Sequence, residues 1–353
     1  MLDSRKPEQH LEGARTSGRP PLGDDLEPPV ATRLVTRLTS IAARIAERYG
    51  LVVALVVAFV AFSIALPDIF PTLGNLKAMI DSQAIILLLA IAVTLPLRAG
   101  DFDLSIAGLM AASGCLTAQL MTHGVSLELA VLAVLGLGVA TGLINGFLIV
   151  KVGVDSFVTT LGMMTALNGL AYAFVNNSDI TNLPSSLLNL ARFEILGFPN
   201  VVWIGWLLVL VFWYIYERTP LGRYILFIGG SRDSAKLAGL RVDRLRMGAF
   251  LACSIIAALT GVLLAGEIGQ MDPSVGSQFL LQPFAGVFLG ATTIAVGRVN
   301  ALGTVVALYL LVVGITGLQL FGADPWVTDV FNGAALVLAV AFARLAARAN
   351  VST

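Results

Sequence analysis

Ten long, almost uncharged stretches occupy most of this 353-residue chain, and they constrain its fold more than any other feature. Most of them reach the roughly 20 residues that a helix needs to cross the hydrocarbon core of a bilayer. Only 12% of the residues are charged, about half the fraction usual in soluble domains. The sequence therefore predicts an all-α polytopic membrane protein with about ten transmembrane helices. The stretches are 51–67, 82–97, 104–127, 129–150, 156–178, 195–216, 247–266, 273–297, 299–323 and 330–343. The second and the last are short, so partial spans are expected there.

The distribution of basic residues orients the predicted helices. An even number of spans puts both termini on the same side. With that side cytoplasmic, the outer loops hold only Lys77 and Arg192. Such an asymmetry is typical of the correct orientation, because cytoplasmic loops are enriched in Lys and Arg. The basic residues then placed inside are Arg33, Arg37, Arg44, Arg48, Arg98, Lys151, Arg218, Arg223, Arg232, Lys236, Arg241, Arg244, Arg246, Arg298, Arg344 and Arg348.

The two ends of the chain differ from its centre. Residues 1–32 are polar and rich in Pro, Gly, Asp and Glu, which predicts a disordered cytoplasmic tail without a cleavable signal peptide. In residues 33–49 the apolar residues Leu34, Leu38, Ile41 and Ile45 fall on one face of a helix, and the arginines fall elsewhere. We therefore expect a basic amphipathic helix leading to the first span. Residues 50–346 then form the membrane domain, and 347–353 form a second cytoplasmic tail.

The longest polar interruption, 217–246, has a centre that is predicted to be a very short helix. Ser231 would cap this helix, Asp233 would lie in its first turn, and Gly239 would end it after Ala238. A helix of two turns is unstable alone in water, so we expect it to dock onto a separate protein. The candidate docking residues are Gly229, Gly230, Ser231, Arg232, Asp233, Ala235, Lys236, Leu237 and Gly239.

The turn between the second and third stretches is a second candidate site. Asp103 is predicted to cap the third span, with Ser105 in its first turn. Arg98 is predicted to form an ion pair with an aspartate of the same turn, which holds Asp101 and Asp103. The alternative is that the turn serves as a gate or contacts a partner.

Small residues recur at helical spacing on three of the predicted spans. Such faces allow close helix packing in lipid, while glycine-rich breaks beside a solute pathway are the alternative. The three sets are Gly138, Gly142 and Gly146; Gly162, Ala166 and Gly169; and Gly286 and Gly290.

The sequence lacks the motifs of nucleotide binding, metal binding and hydrolysis, and it lacks the charges of ion-coupled transport. No lysine stands in a P-loop, and the two histidines, His10 and His123, form no metal or hydrolytic motif. The spans carry essentially no charge at mid-depth, which argues against ion-coupled transport. The chain is therefore predicted to be no enzyme, to bind no metal or cofactor, and to take its energy from a partner. A net charge of zero gives no argument for nucleic acid, and Cys115 and Cys253 are predicted to be buried thiols.

Uncharged polar residues within the spans are candidates for a solute pathway. They suit a neutral hydroxylated solute, although each could instead hydrogen-bond a neighbouring helix. The candidates are Thr94, Asn145, Thr165, Asn168 and Gln282.

Four segments resemble the permeases of sugar-type ABC importers, the group that includes the ribose and xylose permeases. RAGDFDLSIAGLMAASG is similar to their GGxDLSVGS segment, and NGFLIVKVGVDSFVTTLGMM to NGxLxxxxxxxxFIxTLG. TPLGR followed by IGGSRDSAKLAGLRVDRLRM resembles their cytoplasmic loop TxxGRxxxAIGGNxxAAxLSGIxV, and FLGATTIAVGRVNALGT resembles IGGTSLxGGxGxxxGT. Three places depart from the pattern: Ala99-Gly100-Asp101-Phe102 replaces the usual Gly-Gly pattern, Gln282-Pro283-Phe284 replaces an acidic residue followed by small ones, and Thr316-Gly317-Leu318 replaces Asn-Gly-Leu.

The resemblance implies a set of partners. In that family the cytoplasmic loop sits on an ATP-binding subunit, which binds ATP and Mg²⁺. An extracytoplasmic solute-binding protein delivers substrate, and a second permease copy, identical or related, completes the membrane unit. The expected location is the cell (inner) membrane. The resemblance thus predicts import of a monosaccharide or related polyol.

Two rival interpretations stay open at this point. A branched-chain amino acid permease of the same superfamily would need charged or helix-terminal groups for a zwitterionic solute. A stand-alone channel or facilitator would work without an ATPase, so co-purification of an ATP-binding subunit distinguishes it from an importer.

Overall fold

The computed structural model describes the backbone of residues 30–349 and the side chains of residues 48–341. Most of the predicted N-terminal tail, 1–29, and the last residues, 350–353, lie outside this range. Residues 33–49 are helical, but the side chains that would make them amphipathic lie almost entirely outside the described set. The chain divides into two compact units, Met1–Arg44 and Ile45–Thr353, and all contacts given below belong to the second.

The described residues are almost entirely helical. The first half contains α1 (Val30–Ala65), α2 (Leu73–Ser82), α3 (Ala84–Arg98), α4 (Ser105–Thr122), α5 (Leu127–Gly146), a π-helical turn (Phe147–Val152) and α6 (Ser156–Phe174). The second half contains α7 (Ser185–Arg192), a hairpin of β1 (Glu194–Ile195) and β2 (Phe198–Pro199), α8 (Asn200–Arg218), α9 (Pro220–Gly230), α10 (Arg232–Leu237), α11 (Val242–Ile268), a 3-10 segment (Val275–Phe279), α12 (Leu281–Gly290), α13 (Ala301–Leu320) and α14 (Trp326–Ala349).

Seven helices in the described part of the chain are long and apolar enough to cross a membrane. An eighth span results if α2 and α3 are taken together, although they meet at a 41° bend. The prediction of an all-α polytopic membrane protein is confirmed at this level. Residues 82–97, predicted as one short span, are α3 and the bend that joins it to α2.

The predicted span 273–297 is not one continuous helix. This stretch is a 3-10 segment followed by the ten-residue α12, and then an irregular loop. Ten helical residues rise about 15 Å, half the thickness of the hydrocarbon core. Asn300 closes this loop, because its side-chain amide donates to the backbone oxygens of Gly290, Thr293 and Arg298.

The core is built around α3. Every residue of this helix except Leu97 is buried, and it packs against α8, α11, α12 and α13. The sequence explains this position, since α3 is apolar on all sides. The helix α4 is also mostly buried, between α5, α6 and α11.

Two of the three predicted small-residue faces pack as expected. A Cβ on Gly142 would lie 2.7 Å from the Cα of Leu251, so α5 and α11 approach through their backbones. The second face, Gly286 and Gly290 on α12, packs against Leu308 and Thr304 of α13.

The third face packs on none of the residues that the structure describes. A Cβ added to Gly162 or Gly169 on α6 would meet no atom within 4 Å, and Ala166 is exposed. Close packing of α6 occurs instead on its other side, where a Cβ on Gly108 of α4 would lie 2.7 Å from the backbone oxygen of Met164.

Candidate functional site

The short helix α10 forms where the sequence predicts it. Ser231 is its N-cap, with its hydroxyl oxygen accepting from the backbone N–H of Ser234 at 3.3 Å. Asp233 lies in the first turn, where a negative charge suits the helix dipole. Gly239 follows Ala238 with a φ of 79°, a left-handed conformation that favours glycine.

One side chain of α10 anchors it and another projects outward. Ala235 is fully buried against Ile228 of α9 and Val242 of α11. Leu237 is 90% exposed, and Asp233 and Lys236 beside it are exposed as well. The helix therefore presents an apolar side chain flanked by two charges of opposite sign.

Asp101 lies in the turn between α3 and α4 and connects this turn to α10. Its side chain is 2% exposed, and its Oδ1 accepts from Nη2 of Arg232 at 2.8 Å. Arg246, in the first turns of α11, donates from Nε to Oδ2 and from Nη2 to Oδ1, both at 2.7 Å. One buried carboxylate is thus shared by two guanidinium groups. Arg232 also donates to the backbone oxygen of Gly100 at 2.9 Å.

The predicted ion pair between Arg98 and an aspartate of this turn is wrong. Arg98 donates to the backbone oxygens of Gly222, at 3.3 Å, and Val299, at 2.7 Å. Its guanidinium carbon lies 4.3 Å from the ring centroid of Tyr216. Arg98 thus ties α3 to α9 and to the loop before α13, and Asp101 is left to pair with residues that are distant in the sequence.

Asp103 binds the start of α4 as predicted. Its Oδ1 accepts from the backbone N–H of Ser105 at 3.1 Å and from the Ser105 hydroxyl at 2.5 Å. Asn145 of α5 donates to the same hydroxyl at 2.9 Å. Burial raises the pKa of Asp103 to about 6, while its hydrogen bonds to Ser105 oppose that rise. Its Oδ2 has no hydrogen-bond partner among the described residues.

The turn that carries Asp101 fits tightly against α9. A Cβ on Gly229 would collide with the backbone oxygen of Arg98, so only glycine fits there. Gly100 has a φ of 79°, and a Cβ on it would lie 3.4 Å from the Cα of Gly229. Gly230, the other predicted glycine of the segment, faces open space.

The predicted pathway residues are not brought together. Thr94 is fully buried, and its hydroxyl lies 2.6 Å from that of Tyr216. Asn145 is fully buried beside Ser105, and Gln282 donates to Gln83 at 3.3 Å. These three thus make contacts between helices.

The other two pathway candidates lie on α6. Thr165 is on the exposed face of the helix. Asn168 is half-buried near Gly108 of α4. Thr165 thus lies on, and Asn168 beside, a face of α6 that none of the described residues covers.

Phe102, next to Asp101, lines a cavity on the membrane domain. This cavity of about 650 Å³ is apolar and lies between α6, α12 and α14. The Phe102 ring centroid is 6.3 Å from that of Phe157 and 6.1 Å from that of Phe288. Its backbone N–H donates to the Ser156 hydroxyl at 3.1 Å.

Sequence reasoning counted Arg246 only as an inner positive charge and did not single out Phe102. A usable signal existed for Arg246, because it is the last charged residue before the long apolar stretch of α11 and lies one helical turn after Val242. Such a residue needs a buried partner. Nothing in the sequence indicated a role for Phe102, since single aromatic residues are common in turns.

Seven helices long and apolar enough to cross a membrane, among the residues that the structure describes, define a multi-pass membrane protein. The chain matches the family described as branched-chain amino acid transport system / permease component over residues 76–340. It belongs to that family. It is therefore a permease and not an enzyme, and a multi-pass protein of the cell (inner) membrane.

Individual relatives are similar over most of their length. The ribose import permease protein RbsC of Escherichia coli is 30% identical over 275 residues, which is 77% of this chain and 86% of the relative. The L-arabinose ABC transporter permease protein AraH of Azospirillum brasilense is 28% identical, over 79% and 82% of the two chains. The fructose import permease protein FrcC of Rhizobium meliloti is 28% identical, over 79% and 80%. No solved structure matches the chain. The resemblance to sugar-type ABC importer permeases is confirmed.

Proposed function

We propose that this chain imports a monosaccharide or related polyol and that a separate ATPase drives it by docking onto α10. The names of the relatives support the solute class, since they are permeases for ribose, arabinose and fructose. ATP and Mg²⁺ bind to the partner subunit, and this chain binds neither.

The exposure of Leu237 is the observation that carries the proposal. A leucine that is 90% exposed on a helix of six residues gains little from folding within this chain. Exposed apolar side chains rimmed by polar ones mark contacts with other proteins. Asp233 and Lys236 flank Leu237 and supply that polar rim, and Ala235 holds the helix on the membrane domain.

The full topology proposed is ten spans with both termini cytoplasmic. Eight spans follow from length and hydropathy when α2 and α3 are counted as one bent span. Two shorter apolar segments bring the proposed number to ten: Val275–Gly290, in which the 3-10 segment and α12 together are taken as one short span, and Trp326–Ala341. This arrangement places α10 and the Asp101 turn on the cytoplasmic side, and the β1–β2 hairpin outside.

A second permease copy is proposed to cover the face of α6. Gly162, Ala166 and Gly169 form a small-residue face that packs on nothing in the described part of the chain. Such a face allows a helix of another copy to approach closely. Thr165 lies on the same face, and Asn168 beside it, so neutral polar groups would border the junction through which the solute passes.

An extracytoplasmic solute-binding protein is proposed to dock on the outer segment that contains α7 and the hairpin. Phe193 is 64% exposed and Leu196 85% exposed in this segment. The hairpin is held to the membrane domain by a hydrogen bond of 2.9 Å from the Trp203 indole to the backbone oxygen of Ile195. The outer segment thus offers apolar groups on a fixed support.

Mild detergent extraction of the tagged full-length chain tests the role of α10. We expect an ATP-binding subunit to co-purify with the native chain and to be lost, by about tenfold or more, with Leu237→Glu, because a buried charge without a partner opposes docking. Leu196→Glu is the matched control, since it changes an equally exposed leucine on the opposite side and should retain the subunit. Full retention of the subunit by Leu237→Glu would contradict the docking site. Absence of an ATP-binding subunit from the native complex would favour a stand-alone facilitator.

A further inference from the structure

We propose that the contact between Arg232 and Asp101 is the link through which α10 moves the turn between α3 and α4, and with it the aromatic cluster Phe102, Phe157 and Phe288. This inference rests on the proposed function, in which an ATPase moves α10. Arg232 and Asp101 are positioning residues in it, since neither is assigned a contact with the solute.

The two arginines bound to Asp101 differ in what they can do. Arg246 is 8% exposed and holds both carboxylate oxygens. Arg232 is 43% exposed and reaches only Oδ1. Breaking a buried pair leaves an uncompensated charge and is strongly destabilising, whereas a pair with a solvent-exposed partner contributes little. Arg246 is therefore the permanent anchor, and Arg232 can release at small cost while Asp101 stays neutralised.

The link joins two elements that already touch. Arg232 is the first residue of α10, and its second hydrogen bond goes to the backbone of Gly100 in the turn. The end of α9, immediately before α10, packs on the same turn through Gly229. A displacement of α10 is thus transmitted to the turn at two adjacent points, of which only the Arg232 contact is made by a polar side chain.

The turn carries Phe102 directly after Asp101. The backbone of Phe102 is held by Ser156, and its ring contacts Phe157 at the start of α6 and Phe288 in α12. These rings line one end of the 650 Å³ apolar cavity between α6, α12 and α14. Because Asp101 and Phe102 are consecutive, a pull on the carboxylate of one shifts the ring of the other.

Asp101 also stands where the family segment has glycine. Aligning DLS of the segment with Asp103-Leu104-Ser105 puts Asp101 on the second Gly of GGxDLS. A glycine there could bind neither arginine through a side chain. The link is therefore a property of this chain and goes beyond what the family pattern supplies.

The test measures access to the cavity in the intact complex. Leu336, half-buried on α14 and lining the cavity, is replaced by Cys, and the rate of its reaction with N-ethylmaleimide is measured with and without Mg-ATP and vanadate. The two native cysteines are fully buried and serve as the unreactive background. We expect the nucleotide to change the rate by about threefold or more with Arg232 present, as a shifted two-state equilibrium would. With Arg232→Gln the change should disappear, although the ATP-binding subunit stays bound and the thermal midpoint is unchanged.

Two variants distinguish a link from a merely structural contact. Arg232→Lys keeps a donor and a positive charge within reach of Oδ1 and should restore most of the nucleotide effect. Lys151→Gln removes the exposed pair of 2.8 Å between Lys151 and Asp243, which joins other elements, and should leave the effect intact. A nucleotide effect that persists at full size with Arg232→Gln overturns the link but not the importer. No nucleotide effect in the chain with native Arg232 also overturns the link, while co-purification of the ATP-binding subunit decides separately whether the chain is an ATPase-driven importer.

Discussion

Asp101 accepts two hydrogen bonds of 2.7 Å from the guanidinium of Arg246, a residue 145 positions further along the chain. Both side chains are buried, at 2% and 8% exposure. This pair fastens the turn between α3 and α4 to the beginning of α11, beside the short helix α10. It places the two segments that the sequence singled out, the turn and the polar loop, in direct contact.

Removing the carboxylate should destabilise the protein strongly. In Asp101→Asn the Arg246 guanidinium stays buried without a counter-charge, and breaking a buried pair costs about 3–5 kcal/mol. We expect a clear fall in the midpoint of thermal unfolding in detergent. Asp243→Asn removes an exposed pair on the same helix and should cost at most about 1 kcal/mol. Equal midpoints for the two variants would show that the Asp101 pair is not an anchor.

The approach of α5 to α11 should tolerate no side chain at Gly142. A Cβ there would lie 2.7 Å from the Cα of Leu251, so Gly142→Leu must push the helices apart. Overpacking of this kind costs about 1–3 kcal/mol or more. Gly136 on the same helix meets no atom within 4 Å, so Gly136→Leu is the matched control. The measurement is the midpoint of unfolding in a denaturing detergent, and similar midpoints would refute the contact.

Asp103 should make stability depend on pH in an unusual direction. Burial raises its pKa from 3.8 to about 6, so the folded state holds its proton where the unfolded state has lost it. Between about pH 4 and pH 6 stability therefore falls as pH rises, by up to about 1.4 kcal/mol per pH unit, and the contribution is constant above that window.

The comparison of two amide variants isolates this contribution. Asp103→Asn keeps an oxygen for Ser105 and removes the titration, so its unfolding midpoint should lose that part of the pH slope. Asp233→Asn, on exposed α10, should keep the native slope. An unchanged slope in Asp103→Asn would assign the pH dependence to other groups.

The proposed topology predicts opposite accessibility for two leucines. A cysteine in place of Leu237 should react with a membrane-impermeant maleimide only in inside-out vesicles. A cysteine in place of Leu196 should react only in right-side-out vesicles. Reaction of the Leu237→Cys variant from outside would place α10 on the wrong side for an ATPase and would refute the orientation.

The properties that the sequence predicted correctly depend on neighbours in the chain. Hydropathy over some twenty residues is enough to predict a spanning helix. Ser231 as N-cap and Gly239 after the end of α10 depend on backbone groups a few residues away. The face of Gly138 and Gly142 follows from the helical repeat, although its partner helix does not. The docking of an ATPase onto α10 stays a prediction.

Only the tertiary structure decided which groups meet. A sequence-adjacent partner for Arg98 was the natural choice, yet Arg98 binds the backbone at Gly222 and Val299, and Asp101 takes Arg232 and Arg246 instead. The partner of α6 was also decided by the tertiary structure. The sequence predicted that its small-residue face packs on another helix, and none of the described residues covers that face. Hydropathy and capping are local interactions that a short segment specifies by itself. The choice among several arginines more than a hundred residues away depends on how the helices are arranged around α3, and no short stretch of sequence encodes that arrangement.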